Sequence, residues 1–517
     1  MINTLFYRFL NCLLFFLIAT TLQANDEDIL NNKVNLSKNK GSIYQLLKEV
    51  SDQSGYLFIY DSQIINNDQS IKIRKGEYTL REAIYSITGR TDLQIDIIGN
   101  HILLRSSHKK ELSSSLEEEK IPEEEYPTIR GVLYDQVSGN PIVFGSVNIV
   151  STSIGTISNQ NGEFQLVIPD SLIDSHVQFS HIGYESQQIE SQFLVGENIN
   201  FFLEPKIISL QEIVVQVIDP IQVLNNMLDQ KENNYSLEPV YMTSFYREGI
   251  DHKNKNIDLT EAVLEVYKSG YQYKTDKEQA KLIKKRRIVS KQDNDTIFPR
   301  MKSGINSCFI LDIMKDVPDF INPENKALYN YTHTGINFID DRKVNIISFE
   351  QKEHIIEPLF QGKLFIEEES GALIEAQLEI NPFFANKATN LFIDKKTRSL
   401  KIALEEAKYI VSYKLGNDSN YYINHVRGDI HFKVRKKRRL FSTPLHFWFE
   451  MVTCKIDTEN VKRFSRNERL SLNKVFSETE YSHDKNFWNN FNIILPEEKL
   501  QQAIINNLNE VIINNYQ

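Results

Sequence analysis

Residues 130–185 constrain the fold of this chain more strongly than any other stretch. Short alternating apolar runs are separated there by turn residues, at positions 138–141, 154–155, 161–162 and 182–183. Asn and Gly tolerate a positive φ, so residues 159–162 predict a tight turn. After this turn Phe164, Leu166 and Ile168 alternate with period two, which predicts a strand with one buried face. Together these features are typical of a small antiparallel β-sandwich.

The same stretch resembles the carboxypeptidase-regulatory-like domain. The residues that carry the resemblance are Gly131, Val132, Asp135, Gly139, Pro141, Ser146, Val147, Gly155, Thr156, the run Asn161-Gly162-Glu163-Phe164 and the run Ser180-His181-Ile182-Gly183-Tyr184. The resemblance implies a sandwich over residues 128–205 that serves as a rigid binding or spacing unit in the cell envelope. It implies no peptidase chemistry.

Residues 29–105 contain an internal repeat of strand, helix and strand, within a domain predicted over residues 25–107. Apolar residues at helical spacing in residues 43–50 predict a helix that ends at Gly55. A second helix is predicted between an N-cap at Thr79 and Gly89. The strands predicted around these helices are residues 34–36, 57–60, 71–73, 93–97 and 101–104.

This repeat resembles the short N-terminal domain that secretins share with TonB-dependent receptors. The resemblance rests on residues 43–50, 55–58, 79–84 and 100–103. In receptors that signal, such a domain contacts regulators at the inner membrane or in the periplasm. It therefore implies an envelope protein partner, and the alternative is a structural cap.

Residues 1–24 predict a secretory signal peptide, with Arg8 as the positive residue and Ala24 at the cleavage site. The alternative is a membrane anchor, but the apolar run is shorter than the roughly 20 residues that span a bilayer. Residues 108–127 are rich in serine and glutamate, which predicts an extended acidic linker. We therefore expect an exported protein in the periplasm or on the periplasmic side of the outer membrane.

Residues 220–517 follow a connector at 206–219 and predict one large curved antiparallel sheet with helices against one face. The expected strands include residues 400–404, 409–414, 421–426 and 429–434, and helices are expected at 220–228, 309–314 and 497–511. The predicted fold class is multidomain α+β: a small βαβ-repeat domain, an antiparallel β-sandwich and the large curved sheet with its flanking helices.

The C-terminal segment is similar to the C-terminal part of envelope proteins from Bacteroidetes-type bacteria that carry the regulatory-like module. The residues behind this similarity are Phe245-Tyr246-Arg247-Glu248, Gly362-Lys363-Leu364-Phe365-Ile366 and Phe487-Trp488. Its strand pattern also resembles that of periplasmic lipoprotein carriers.

Motifs for catalysis or metal binding are scarce. The sequence has no HExxH zinc motif, no GxSxG elbow and no glycine-rich phosphate loop. His176 and His181 flank one predicted strand and should point to opposite faces, whereas His425 and His431 fall in neighbouring predicted strands. Residues 367–369 are glutamates expected at a solvated hairpin tip. We therefore predict no catalytic residue, no metal ligand and no cofactor.

Net charge and cysteine content limit the partners and the redox chemistry. The net charge of −10 argues against a nucleic-acid partner, which usually requires a basic face. Of the three cysteines, Cys308 and Cys454 lie outside the predicted signal peptide. A disulfide between them and two buried free thiols both remain open.

One dense basic run stands out in this acidic chain. Its charged members are Lys433, Arg435, Lys436, Lys437, Arg438 and Arg439. Basic residues near a membrane attract anionic head groups, so the run is a candidate contact for lipid or for a partner protein. The alternative is a charged edge strand that prevents aggregation.

The sequence as a whole predicts a non-enzymatic, exported envelope protein that binds other proteins through modular domains. We expect this role to be linked to outer-membrane, TonB-associated transport or signalling. The first alternative is a periplasmic carrier of lipid or lipoprotein, which requires an open apolar cavity in the C-terminal sheet. The second alternative is an enzyme such as a hydrolase, which requires titratable residues that converge in a cleft.

Overall fold

The computed structural model describes residues 26–106, 126–206, 218–252, 255–272, 277–289, 300–302, 304–325, 327–395, 399–472, 476 and 491–497. The chain divides into two compact units, residues 1–121 with 198–202 and residues 122–197 with 203–517. The predicted signal peptide and most of the predicted linker and connector lie outside the described residues. So does the predicted helix 497–511, apart from its first residue.

The first unit combines short strands with helices. Its described helices are α1 (Asp26–Leu30), α2 (Ile43–Ser54) and α3 (Leu80–Thr88), and its strands are β1 (Lys33–Leu36), β2 (Lys40–Ser42), β3 (Leu57–Asp61), β4 (Ser70–Lys72), β5 (Gly76–Thr79), β6 (Leu93–Ile98) and β7 (His101–Ser106). Strand β3 runs parallel to β7, and β6 forms an antiparallel hairpin with β7. The strand Asn198–Leu203, β14, pairs with β3 through Ile199 and Asn200.

Both longer helices begin and end where the sequence predicts. Ser42 caps α2 and Thr79 caps α3, each as one half of a capping box with the residue three positions later. Gly55 and Gly89 end these helices with φ values of 75° and 67°, a left-handed conformation that glycine adopts without steric cost. The repeat is therefore formed by local signals that the sequence shows directly.

The second unit begins with the predicted sandwich. Its strands are β8 (Thr128–Asp135), β9 (Ser146–Ile149), β10 (Gly155–Ile157), β11 (Glu163–Val167), β12 (His176–Ser180) and β13 (Gln187–Glu190), with single 3₁₀ turns at Asp170–Leu172 and Ser191–Phe193. Strands β10, β9, β12 and β13 form one sheet, and β11 pairs with β8. Phe164, Leu166 and Ile168 are all fully buried, as their period-two spacing predicts.

A ten-stranded antiparallel sheet makes up the rest of this unit. The elements are α4 (Pro220–Asp229), α5 (Lys231–Asn234), β15 (Val240–His252), β16 (Lys255–Lys268), β17 (Gln279–Val289), β18 (Arg300–Met301), α6 (Gly304–Ile310), a 3₁₀ turn (Pro323–Asn325), β19 (Tyr329–Ile339), β20 (Arg342–Gln351), β21 (Phe360–Glu367), β22 (Leu373–Ile380), a 3₁₀ turn (Ala385–Ala388), α7 (Thr389–Phe392), β23 (Ile393–Lys395), β24 (Leu400–Leu415), β25 (Tyr421–Lys436) and β26 (Thr443–Asp457). The strand order is β17-β16-β15-β26-β25-β24-β22-β21-β20-β19.

One face of this sheet is closed by a filled apolar cluster. Residues of α4 and α6, such as Leu224 and Ile305, pack there with strand residues such as Ile430 and Phe449. The predicted fold class is confirmed as a mixed α+β protein with several sheets, including the large C-terminal antiparallel sheet. The predicted domain boundaries stay predictions.

Five predicted elements differ from the observed ones. Residues 400–404 and 409–414 form the single strand β24, which continues through a bulge near Glu406. Residues 421–426 and 429–434 form the single strand β25. Gly428 lies within this strand against the Phe449 ring, and a Cβ atom at position 428 would come within 2.5 Å of that ring. The glycine is therefore required by packing and does not mark a turn. The helix expected at 309–314 ends at Ile310.

No helix in the described part of the chain is both long and apolar enough to cross a membrane.

Candidate functional site

The second face of the ten-stranded sheet carries a row of polar side chains on β25. Because side chains alternate along a strand, His425, Arg427, Asp429 and His431 share one face. Their neighbours Val426, Ile430 and Phe432 enter the apolar cluster on the opposite face. The sheet therefore separates a filled core from a polar surface.

Arg247 and Glu450 form the centre of a buried ionic network on this polar face. Both side chains are fully buried, and the Arg247 Nε donates to Glu450 Oε2 at 2.8 Å. The second carboxylate oxygen lies 2.9 Å from His425 Nε2. Arg247 also donates to the carbonyl of Leu495 and to the carboxylate of Glu497, each at 3.2 Å. Strands β15, β25 and β26 are thus joined to the segment near the C-terminal end.

The network continues along β25. Arg427 makes a two-pronged ion pair with Asp429, through Nε at 2.7 Å and a terminal nitrogen at 2.9 Å. His446 lies between two carboxylates, with Nε2 3.1 Å from Asp429 and Nδ1 3.2 Å from Asp251. The His431 ring stacks on the His446 ring with centroids 4.2 Å apart.

Neighbouring charges outweigh burial in setting the protonation of this network. Burial alone raises the pKa of Glu450, but the charges of Arg247 and Arg427 hold it well below the usual range. Burial lowers the pKa of His446, yet its hydrogen bonds with Asp251 and Asp429 raise it to about 9. Burial and the adjacent His446 lower the pKa of His431. The stacked pair therefore carries its proton on His446 at neutral pH.

The sandwich covers part of this network. The Phe144 ring lies 4.7 Å from the His425 ring and 5.8 Å from the guanidinium carbon of Arg427. Thr156 Oγ1 donates to the carbonyl of Ile493 at 3.1 Å, and Asn159 Nδ2 donates to that of Leu495 at 3.0 Å. An apolar cluster lies across the same contact, formed by Ile157 with Phe245, Val452, Cys454, Ile493 and Ile494. The sandwich is therefore packed directly on the sheet.

A groove of about 780 Å³ begins where this covered region ends. Its floor crosses five consecutive strands, β25, β24, β22, β21 and β20, and Gln160 of the sandwich borders it. The charged and amide side chains that line it are Gln160, Glu350, Gln361, Lys363, Gln377, Glu379, Glu406, Lys408, Asp429 and His431. A lining of both charge signs suits a polar ligand better than an acyl chain.

The chemistry of the network is that of a structural ionic cluster. Its carboxylates accept from arginine or histidine, so their charge is neutralised locally. In the described parts of the chain, no group of three or more His, Cys, Asp and Glu is arranged to hold a metal ion.

The basic run lies at one end of the sheet rather than in the groove. Lys433, Arg435 and Lys436 end β25, and Lys437, Arg438 and Arg439 are exposed in the turn that follows. The edge-strand alternative is wrong, because β25 lies between β24 and β26. Lys433 forms an ion pair with Glu405.

Several other sequence predictions change in the structure. His425 and His431 lie on the same strand, not on neighbouring strands. Glu367 is buried and accepts hydrogen bonds from Tyr421 and Ser370, so only the other two glutamates of that run are solvated. Cys308 and Cys454 are buried free thiols that belong to different apolar clusters.

Sequence reasoning missed the ionic network, although a signal was present. His425, Arg427, Asp429 and His431 recur at every second position in an otherwise apolar stretch. Such spacing indicates a polar strand face. The partners Arg247, Asp251, His446 and Glu450 could not be assigned, because strand pairing alone brings them close to β25.

Residues 129–215 match a family model described as CarboxypepD_reg-like domain. The sandwich is a CarboxypepD_reg-like domain. The match covers the described sandwich strands and extends into residues 207–215, which lie outside the described part. A search of curated proteins finds no match to this chain.

Two solved structures show distant likeness to this chain. A DUF1329 family protein from Desulfovibrio piger is 11% identical, with a TM-score of 0.21 over 48% of this chain and 96% of that one. Lipovitellin is also 11% identical, with a TM-score of 0.22 over 46% of this chain and 27% of that one. At such TM-scores neither likeness bears on function.

Proposed function

We propose that this chain is a non-enzymatic binding protein of the cell envelope, exported through its N-terminal segment, whose groove receives an extended segment of a partner protein. The observation that carries the proposal is the polar groove beside the CarboxypepD_reg-like domain, with a floor formed by five strands. The TonB-associated machinery is one candidate source of that partner.

The dimensions of the groove suit a polypeptide. Neighbouring strands lie about 4.8 Å apart, so a floor of five strands is about 19 Å across. An extended polypeptide of about six residues has this length. Lys363 offers a donor to an acidic side chain, and the ion-paired group of Lys408, Glu379 and Glu406 offers charges of both signs at the groove surface. The side-chain amides of Gln361 and Gln377, which donate to Glu379 and Glu375 in the free chain, have the donor and acceptor groups that pair with a partner's backbone amides.

Rigid attachment of the CarboxypepD_reg-like domain supports the same proposal. Hydrogen bonds and a shared apolar cluster join this domain to the sheet, so Gln160 is held in a fixed position at the groove border. A preformed site of this kind binds without the entropic cost of assembling itself.

The carrier alternative has weaker support. It requires an open apolar cavity, whereas the apolar side chains of α4, α6 and the sheet belong to one cluster of buried residues. The groove on the other face is lined by charged side chains of both signs, although apolar atoms make up much of its surface. A lipid would remove water from these charged groups, which costs free energy even where they are paired with one another, as Lys408 is with Glu379 and Glu406.

Native mass spectrometry of the chain purified gently from its own envelope tests the proposal. Gln377→Trp fills the floor of the groove, and Gln188→Trp is the matched control at an exposed position of β13. We expect a retained protein subunit with the unmodified chain and with the control, and its loss with Gln377→Trp. A retained adduct of lipid mass would support the carrier instead. A subunit retained equally by both variants would exclude the groove as the site.

A further inference from the structure

The turn between β25 and β26 combines positive charge with exposed apolar side chains. Leu440 is 86% exposed and Phe441 is 85% exposed. They directly follow Lys437, Arg438 and Arg439, which are exposed in the same turn. We propose that this turn, residues 437–442, docks the protein on an anionic lipid bilayer, with Leu440 and Phe441 inserted among the lipid head groups.

The local charge is opposite to that of the whole protein. The chain carries a net charge of −10, whereas the seven residues 433–439 include six basic ones. An anionic surface repels the protein as a whole and attracts this turn, so charge orients the molecule with the turn toward the lipid. Electrostatic attraction of this kind weakens as salt is added.

The two apolar side chains have a role that charge alone does not explain. Large apolar groups that are exposed side by side lose contact with water only when another surface covers them. Phe and Leu beside Lys and Arg are the residue types that membrane-surface segments place at the boundary between head groups and acyl chains. Covering by lipid satisfies the apolar and the basic residues at once.

The sheet register places another exposed apolar side chain toward the same end of the sheet. Lys436 pairs with Leu400 at the start of β24, and Glu379 near the end of β22 pairs with Lys408 farther along β24. The turn after β22 therefore lies toward that end, and it contains Phe383, which is 90% exposed. A broad bilayer suits two separated apolar contacts better than a small ligand does.

Vesicle binding by the chain without residues 1–24 tests the proposal, because the apolar N-terminal segment would itself bind lipid. The probes are vesicles of neutral phosphatidylcholine and vesicles with about one third anionic phosphatidylglycerol. Each basic residue near an anionic surface strengthens membrane binding about fivefold. The triple change Lys437→Gln, Arg438→Gln and Arg439→Gln should therefore weaken binding to the anionic vesicles about a hundredfold. The matched control is Lys462→Gln, Arg463→Gln and Arg466→Gln, which removes the same charge from another exposed segment.

Insertion is tested separately from charge. The double change Leu440→Ser and Phe441→Ser should weaken the binding that survives high salt, and the fluorescence of a Phe441→Trp side chain should be quenched by brominated acyl chains.

Absence of binding to anionic vesicles, or equal loss of binding in the two charge triples, would overturn the proposal. Binding without quenching at position 441 would overturn insertion. Binding to short RNA but not to vesicles would assign the basic turn to nucleic acid. None of these outcomes depends on the groove partner.

Discussion

At the scale of single residues, Arg247 is the side chain on which the second face of the sheet most depends. It is fully buried and reaches Glu450, Glu497 and the carbonyl of Leu495. A buried charge is tolerated only when its partners are present, so loss of one partner leaves the other without compensation. The need for an arginine at position 247 therefore comes from these buried contacts, and another residue that suits a strand would not meet it.

We expect Arg247→Met to lower the free energy of unfolding by about 3–5 kcal/mol, because Glu450 would stay buried with less opposing charge. Urea unfolding at neutral pH measures this loss. The matched control is Lys455→Met, which removes a cation from the half-exposed ion pair with Asp457 on β26 and should change stability little. Equal effects of the two changes would contradict the central role of Arg247.

His446 should make stability depend on alkaline pH. Its pKa is about 9 in the folded chain, above the usual value of 6.5. A raised pKa means that the stabilisation is complete below about pH 6.5 and is lost as pH rises through about 9. The groups that face this ring are Asp251 on β15 with Asp429 and His431 on β25.

From the shift in pKa, His446 should contribute about 3 kcal/mol that disappears between about pH 6 and pH 10. Urea unfolding of the unmodified chain and of His446→Gln across this range isolates the contribution, because other titrating groups are common to both. His333→Gln serves as a control, since His333 contacts the amide of Asn345 and no carboxylate. A difference between chain and variant that stays constant with pH would contradict the assignment.

At the scale of elements, some helices and strands follow from local sequence signals, whereas the bounds of others depend on tertiary contacts. The helices α2 and α3 could be predicted closely, because their caps and their apolar spacing act within a few residues. The hairpin β6–β7 and the strand β11 could be predicted for the same reason. The long strands β24 and β25 were each predicted as two, because a bulge and a glycine that accommodates Phe449 interrupt the apolar pattern without ending the strand.

The polar face of β25 illustrates what spacing can and cannot reveal. Alternation at positions 425, 427, 429 and 431 shows that these residues share a face. It does not show that the face is partly buried under the CarboxypepD_reg-like domain, since that contact comes from Phe144, far away in sequence. The charged partners that packing brings to these residues turn the row into an ionic network with shifted pKa values, against the effect of burial itself at His446 and Glu450.

At the scale of the whole molecule, the CarboxypepD_reg-like domain and the ten-stranded sheet belong to one compact unit. Strand β10 packs on β26, and Ile157 shares an apolar cluster with Phe245 and Val452. Domains joined by a well-packed apolar contact unfold together more readily than domains joined by a linker. This coupling holds the border of the proposed binding groove in place.

We therefore expect Ile157→Ala, which removes a side chain buried at this contact, to destabilise both parts by about 2–5 kcal/mol. Hydrogen exchange should show faster exchange in β9 and β10 and also in β15 and β26. Val137→Ala is the control, since Val137 is 60% exposed. Faster exchange confined to the strands of the CarboxypepD_reg-like domain would show that the two parts open independently.

The sequence by itself determined the capped helices, the alternating strands of the sandwich and the α+β class, because caps, turns and periodicity act over short distances along the chain. Only the tertiary structure decided that β25 is an interior strand, that Arg247 meets Glu450, and that a groove lies beside the CarboxypepD_reg-like domain. Each of these depends on the register and packing of residues distant in sequence, which no local pattern specifies.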